Sequence, residues 1–207
     1  DVVASLYGRN SLLDLISKTA KDIFIPLTVS GGIRKIEDIK NVLRNGADKI
    51  SMNTAAIENP NLISEAVKIF GSSTITITVE IIKDDKGNYI AFTDNGRNNT
   101  NFNAFDWIRK LEDYNVGEIV VTFIETEGTG NGIDIEFAKK IKESISTPLI
   151  LHGGFGTKEY ILDVINEINP SGIAIASIFH YSNLDLSINK KFNYGHLDFL
   201  NKKKNST

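Results

Sequence analysis

The chain has 207 residues, 41% hydrophobic and 24% charged, with a net charge of −3, three histidines and no cysteine. This composition excludes disulfides, thiolate metal sites and a cysteine nucleophile. It offers no basic footprint for nucleic acid or an anionic membrane and leaves one sizeable soluble core as the expectation.

Taken in order, Asp1 to Ser5 reads as the end of a strand and Leu6 to Asn10 as a loop. Ser11 to Ile23 has helical apolar spacing at Leu12, Leu13, Leu15, Ile16 and Ala20, with Asn10 or Ser11 as cap. Ile25 to Ser30 is a short apolar strand of the kind buried on both faces of a parallel sheet. Arg34 to Asn45 is helical and stops at Gly46; Ala47 to Met52 is a strand. Asn59-Pro60 starts a helix that runs to Phe70. Thr74 to Glu80 is a β-branched strand, and Ile81-Ile82 and Tyr89 to Phe92 form a small hairpin around Asp84 to Asn88.

Asp94 to Asn103 reads as a polar loop and Ala104 to Tyr114 as a helix. Glu118 to Phe123 is a strand, followed by a glycine-rich loop from Glu125 to Gly132 and a helix over Asp134 to Ser144. Leu149 to Leu151 is a strand, Lys158 to Ile168 a helix and Gly172 to Ala176 the last strand; the tail ending in Lys202 to Thr207 is expected in solvent. No apolar run approaches the ~18 residues of a membrane span. No signal peptide opens the chain, which starts at Asp1. A cytoplasmic location, no cofactor and no metal site are expected.

One stretch occurs twice. Pro26-Leu27-Thr28-Val29-Ser30-Gly31-Gly32 is matched by Pro148-Leu149-Ile150-Leu151-His152-Gly153-Gly154, 122 positions later. Each copy continues through an amphipathic segment and an apolar run to a small polar pair, Asn53-Thr54 or Ala176-Ser177. A repeat this long is half of a domain. Alternating strands and helices give a parallel α/β sheet, and four duplicated βα units give a (βα)8 TIM barrel of two half-barrels. By this symmetry residues 1–207 form a single barrel domain that is N-terminally truncated: the first strand, the first helix and most of the second strand would precede Asp1.

The active site of such a barrel lies at the C-terminal strand ends. Gly31, Gly32, Asn53, Thr54, Gly153, Gly154, Ala176 and Ser177 all fall there. Glycine lets backbone N–H groups approach an anion without a Cβ in the way, and a helix N-terminus adds favourable partial charge. Two such sites across one barrel mouth suit a ligand with a phosphate at each end. Paired glycines can also simply make tight turns, but two copies with matched polar partners favour the anion reading. Glu80 directly follows an apolar strand and is the better candidate for a general acid or base. Glu127 lies in the glycine-rich loop before Gly128, and Glu125 alone reads as a solvated loop acid.

Pro26 to Ile33, Gly46 to Ala56, Glu58-Asn59-Pro60, Gly117-Glu118-Ile119, Glu127-Gly128-Thr129, Gly153 to Gly156 and Ala176 to His180 together resemble the cyclase subunit of imidazole glycerol phosphate synthase. The resemblance runs to about His180. It implies a (βα)8 barrel paired with a glutaminase as a heterodimer. Ammonia from the partner would travel through the barrel to a bisphosphorylated ribulosyl intermediate in histidine biosynthesis. It further implies that Gly32, Asn53 and Thr54 hold one phosphate, and Gly128, Gly154, Ala176 and Ser177 the other. Glu80 would take the place of one catalytic aspartate; the other would lie before Asp1. Ser51 and Glu127 would border the same site. Asp48, Lys49 and Glu118, at strand starts, would fall at the ammonia entry and the glutaminase interface.

The sequence departs from that family at several points. Family aspartates are replaced at Glu80, Glu125 and Glu127, a glycine by Ser30, and a small residue by His152. The resemblance does not extend to Tyr194 to Leu200. Two other readings therefore stay open. One is a paralogue channelling ammonia to sugar amidation in surface-polysaccharide synthesis. The other is a non-catalytic barrel that binds phosphates or a partner.

Overall fold

A computed structural model describes residues 12–182. The expectations for the strand end, loop and cap over 1–11 and for everything after 182 lie outside these residues. Six parallel strands form the body of the sheet. They are β1 (Thr28–Ser30), β2 (Lys49–Met52), β3 (Ile75–Lys83), β6 (Glu118–Phe123), β7 (Leu149–His152) and β8 (Gly172–Ala174), paired in that order. An antiparallel hairpin, β4 (Tyr89–Thr93) and β5 (Asn98–Asn103), hangs on β3.

The strands sit where the apolar pattern puts them, and period-2 alternation decides which side chain faces which way. In β3, Ile75, Ile77, Val79 and Ile81 are fully buried against the helices. Full burial of each is worth about 1.5–3 kcal/mol. The intervening Thr76, Thr78 and Glu80 take the other face. The same alternation in β6 buries Ile119, Val121 and Phe123 and leaves Glu118, Val120 and Thr122 on the inner side.

The outer face is covered by helices that each bury one stripe. Ile39 and Val42 serve this purpose in α2 (Ile36–Arg44), and Leu62, Ile63 and Ala66 in α4 (Asn61–Phe70). Ala138 and Ile141 do so in α6 (Ile135–Ser144), and Val164 and Ile168 in α7 (Lys158–Ile168). Three caps fix helix starts. Asn103 accepts from Asp106 N at the start of α5 (Ala104–Lys110), Asp134 from Phe137 N and Thr157 from Tyr160 N. Each such cap is worth on the order of 1 kcal/mol.

The sheet is curled. Ser30 at the end of β1 and Ala174 at the end of β8 line one cavity. In a flat sheet of six strands they would stand about 24 Å apart. The α/β order, the parallel register and this curl are those of a half-barrel, and they agree with the expected barrel truncated at its N-terminus. No helix among the described residues is long and apolar enough to cross a membrane.

Several elements differ from the sequence reading. The run Ile25 to Ser30 is not buried on both faces: Phe24 is 98% and Ile25 73% exposed, and only Thr28–Ser30 is strand. Among the described residues β1 pairs on one side only, with β2. The expected hairpin is present, Ile81 and Ile82 pairing antiparallel with Ala91 and Ile90, but its first arm is a continuation of β3, which runs through Glu80 to Lys83. The stretch expected as a polar loop forms β5, because backbone pairing with β4 outweighs the low strand propensity of asparagine. A short helix not expected from the sequence, α3 (Thr54–Glu58), follows β2.

Candidate functional site

The inner faces stack into layers. The register places Ser51 beside Thr76, Thr76 beside Glu118 and Glu80 beside Thr122, and Thr122 beside His152. Hydrogen bonds across the tilted strands group Lys49, Thr76 and Glu118 into the layer at the strand starts, and Ser51 with Thr78 into the next. Val120 completes this middle layer. Asn53, Glu80, Thr122 and His152 form the rim at the strand ends. Polar residues occupy these positions because the interior face receives no helix.

At the rim lies a cavity of about 290 Å³. It brings together Gly31, Gly32, Ser51, Asn53, Thr54, Glu80 and Glu127, all expected from the sequence. Thr78, Asn95, Thr122 and His152 join them. A smaller cavity of about 30 Å³ adjoins it, lined by Gly128, Gly153, Gly154, Ala176 and Ser177. Glu127, His152 and Ala174 line both. The two halves of the repeat thus face each other across one mouth, as the duplication requires.

The repeat is also conformational. Gly31 and Gly153 have φ of 99° and 107°, and Gly32 and Gly154 have 73° and 70°. These left-handed values favour glycine. Space matters as well: a Cβ on Gly154 would lie 2.2 Å from Gly132 O, and one on Gly153 2.6 Å from Phe123 O. The Gly132 amide in turn donates to Gly154 O at 2.8 Å. The glycine-rich loop and the second glycine pair are therefore built against each other.

Glu80 is held at the centre of the rim. Its Oε2 accepts from Gly96 N at 2.9 Å. Burial pushes its carboxyl above the ordinary glutamate range; the Gly96 amide and the Asn53 side chain oppose the rise, and the nearby charges of Glu127 and Asp94 add to it. A carboxyl raised in this way gains affinity for a proton that it can pass to or take from a reacting group. Asn53 Nδ2 donates to Phe92 O at 3.0 Å, while its Oδ1 is buried without a donor. A buried acceptor left unpaired is costly, and a bound ligand would relieve it. Thr54 Oγ1 accepts from Asp94 N at 3.3 Å, and Ser51 and Thr78 share a hydroxyl contact of 2.7 Å.

Glu125 is exposed and its Oε2 accepts from Lys83 N at 3.0 Å, so it ties the loop to the end of β3. Asp48, Lys49 and Glu118 lie at the opposite end of the strands from the cavities, as expected. Lys49 is ion-paired with Glu118. Asp48 is exposed, and its Oδ2 accepts from Leu27 N at 2.8 Å, which joins the starts of β1 and β2.

The residues not named as site candidates from the sequence were Thr78, Asn95 and Thr122. The first and last follow from counting in twos from Glu80 and Glu118 along their strands. Asn95 comes from the turn between β4 and β5, a connection that the sequence reading treated as loop. His152 was visible only as a departure from the family.

Comparison with known proteins agrees with the geometry. Residues 1–185 match the family described as histidine biosynthesis protein. The imidazole glycerol phosphate synthase subunit HisF of Lachnoclostridium phytofermentans is 40% identical over 193 residues, 93% of this chain and 75% of that protein. The subunit of the same name from Legionella pneumophila is 45% identical over 159 residues, 77% of this chain and 75% of that protein. The one from Alkaliphilus metalliredigens is 37% identical over 186 residues, 90% of this chain and 74% of its own length. The resemblance read from the sequence motifs is borne out: the chain belongs to the histidine biosynthesis protein family, among its HisF subunits.

Proposed function

We propose that the chain acts as the cyclase subunit of imidazole glycerol phosphate synthase. It would use ammonia from a glutaminase partner to convert a bisphosphorylated ribulosyl aminoimidazole-carboxamide intermediate to imidazole glycerol phosphate. Family membership favours this reading over the sugar-amidation paralogue and the non-catalytic barrel. The observation that carries it for this chain is the pair of matched glycine loops at one mouth, with the half-buried carboxyl of Glu80 between them.

In this reading Gly32, Asn53 and Thr54 hold one phosphate, and Gly128, Gly154, Ala176 and Ser177 the other. Binding at both ends fixes the reacting atoms over Glu80, and such orientation supplies much of an enzyme's rate. Glu80 transfers the proton that the cyclisation moves, with Glu127 beside it as a second carboxylate. Ammonia enters where Lys49 and Glu118 close the strand starts, then passes the Ser51 and Thr78 hydroxyls to reach the rim. A glutaminase docked at that lower face would complete a heterodimer.

The test is complementation. The gene should restore growth without histidine to a strain lacking its cyclase subunit, and the Glu80→Gln variant should not. Growth restored equally by both would remove Glu80 from the chemistry.

A further inference from the structure

We propose that His152 is a phosphate-binding residue: its imidazole gives the cationic contact to the anion in the smaller cavity and separates that anion from Glu127. This deepens the two-phosphate reading above and rests on it.

Among the described residues that line the two cavities, only His152 has a side chain able to carry positive charge. The other polar side chains there are hydroxyls, amides and the carboxylates of Glu80 and Glu127. A phosphate entering the smaller cavity comes up beside Glu127, which lines it. Two like charges a few ångströms apart repel strongly where water is scarce. Something must offset that repulsion, and the imidazole is the group in place to do so.

The ring is also oriented for the task. His152 Nδ1 lies 3.3 Å from Thr122 Oγ1. In the cationic ring Nδ1–H donates to the threonine hydroxyl and Nε2 carries the second proton. Nε2 is 3.9 Å from Glu127 Oε1, beyond hydrogen-bond range but close enough for charge attraction. Its N–H is thus left for a third group, and the side chain is 24% exposed, at the wall shared by both cavities. In the repeat, the matching position is Ser30, which has no such reach. The two phosphate sites are then unequal, and the ligand acquires a direction.

A purely structural role would have the ring fill space between β6 and β7 through Thr122 alone. The experiment is calorimetric titration of inorganic phosphate into the full chain, as wild type, His152→Ser, His152→Gln and Glu127→Gln. The proposal expects two sites in the wild type. It expects one of them to weaken roughly tenfold or more in both His152 variants, as for loss of a charge-assisted hydrogen bond. The other site should not change, and Glu127→Gln should tighten the affected one. With the bisphosphorylated substrate, KM should rise more than kcat falls. Should the serine variant fail to fold, the glutamine variant decides. Wild-type affinity at both sites in a folded His152→Gln would overturn the proposal. A barrel completed at its N-terminus that binds phosphate at both sites but turns over no substrate would overturn the cyclase reading and leave the His152 assignment standing.

Discussion

Lys49 on β2 and Glu118 on β6 form an ion pair although β3 lies between their strands. Two strand spacings are about 9–10 Å. Only the curl of the sheet and the reach of the lysine bring the charges together. Thr76, on the intervening strand, donates to the second carboxylate oxygen of Glu118 at 3.1 Å. The pair is about a quarter exposed, so it is screened less than a surface pair.

The first prediction follows from that contact. Glu118→Ala should cost on the order of 1–3 kcal/mol, because it leaves Lys49 and the Thr76 hydroxyl without their acceptor. A double-mutant cycle with Lys49→Ala, read by urea melts, should show a coupling above about 0.5 kcal/mol. Strict additivity would make the pair energetically idle.

Asp48 carries two roles that can be separated. Its carboxylate accepts the Leu27 amide, a fold contact, and its exposed charge faces the side on which the partner is proposed to dock. Asparagine keeps an acceptor and loses the charge. Asp48→Asn should therefore melt like the wild type and keep activity with ammonium salts, but lose activity with glutamine and the glutaminase. Equal losses with both nitrogen sources would place Asp48 in fold stability alone.

Glu80 couples function to stability. Its folded carboxyl binds a proton more tightly than the unfolded one, so its contribution is fully present below the ordinary glutamate value of 4.5 and is lost as pH rises through the raised folded value. Ionised Glu80 is thus a cost at neutral pH. Glu80→Gln keeps an acceptor for Gly96 and has no charge to bury. It should melt at or above the wild-type temperature at pH 8, with that advantage disappearing toward pH 4. Turnover should fall by about 10²–10⁴-fold. A variant less stable than wild type at pH 8 would contradict the assignment of burial as the dominant influence.

The second glycine pair should resist any side chain. A Gly154→Ala methyl would meet Gly132 O at 2.2 Å, on a backbone with φ of 70°. Loss of several degrees of melting temperature is expected, so this substitution does not report cleanly on phosphate. Ser177→Ala leaves the loops intact and should weaken a bisphosphate while sparing a monophosphate held at the Gly32 side. Equal calorimetric affinity of the wild type for bisphosphate and monophosphate would contradict two sites at one mouth.

Much of this was legible because it rests on local pattern. The duplicated glycine pairs, the apolar runs of β2, β6 and β7 and the β-branched run of β3 each fix an element by short-range chemistry, and the repeat then places the strand ends together. What stayed hidden depended on pairing across the sheet. The asparagine-rich β5 is a strand only because β4 lies beside it. The exposure of Phe24 and Ile25 depends on what packs beside them in three dimensions, which an apolar run cannot reveal. The outlook of Asp48 was half legible: its place at a strand start follows from Gly46-Ala47, whereas its bond to Leu27 requires the β1–β2 register. His152 stood out by its type, but its contacts with Thr122 and Glu127 follow from the β6–β7 register and the loop after β6.

The 207 residues alone are expected to be inactive, so the most direct measurement is turnover of the bisphosphorylated ribulosyl intermediate with ammonium salts, without the glutaminase, by the chain completed at its N-terminus with the first βα unit of a HisF relative. The account predicts ammonia-dependent loss of the intermediate with equal amounts of imidazole glycerol phosphate and the aminoimidazole carboxamide ribotide, abolished by Glu80→Gln. Tight binding of the intermediate with no turnover at saturating ammonia would contradict it.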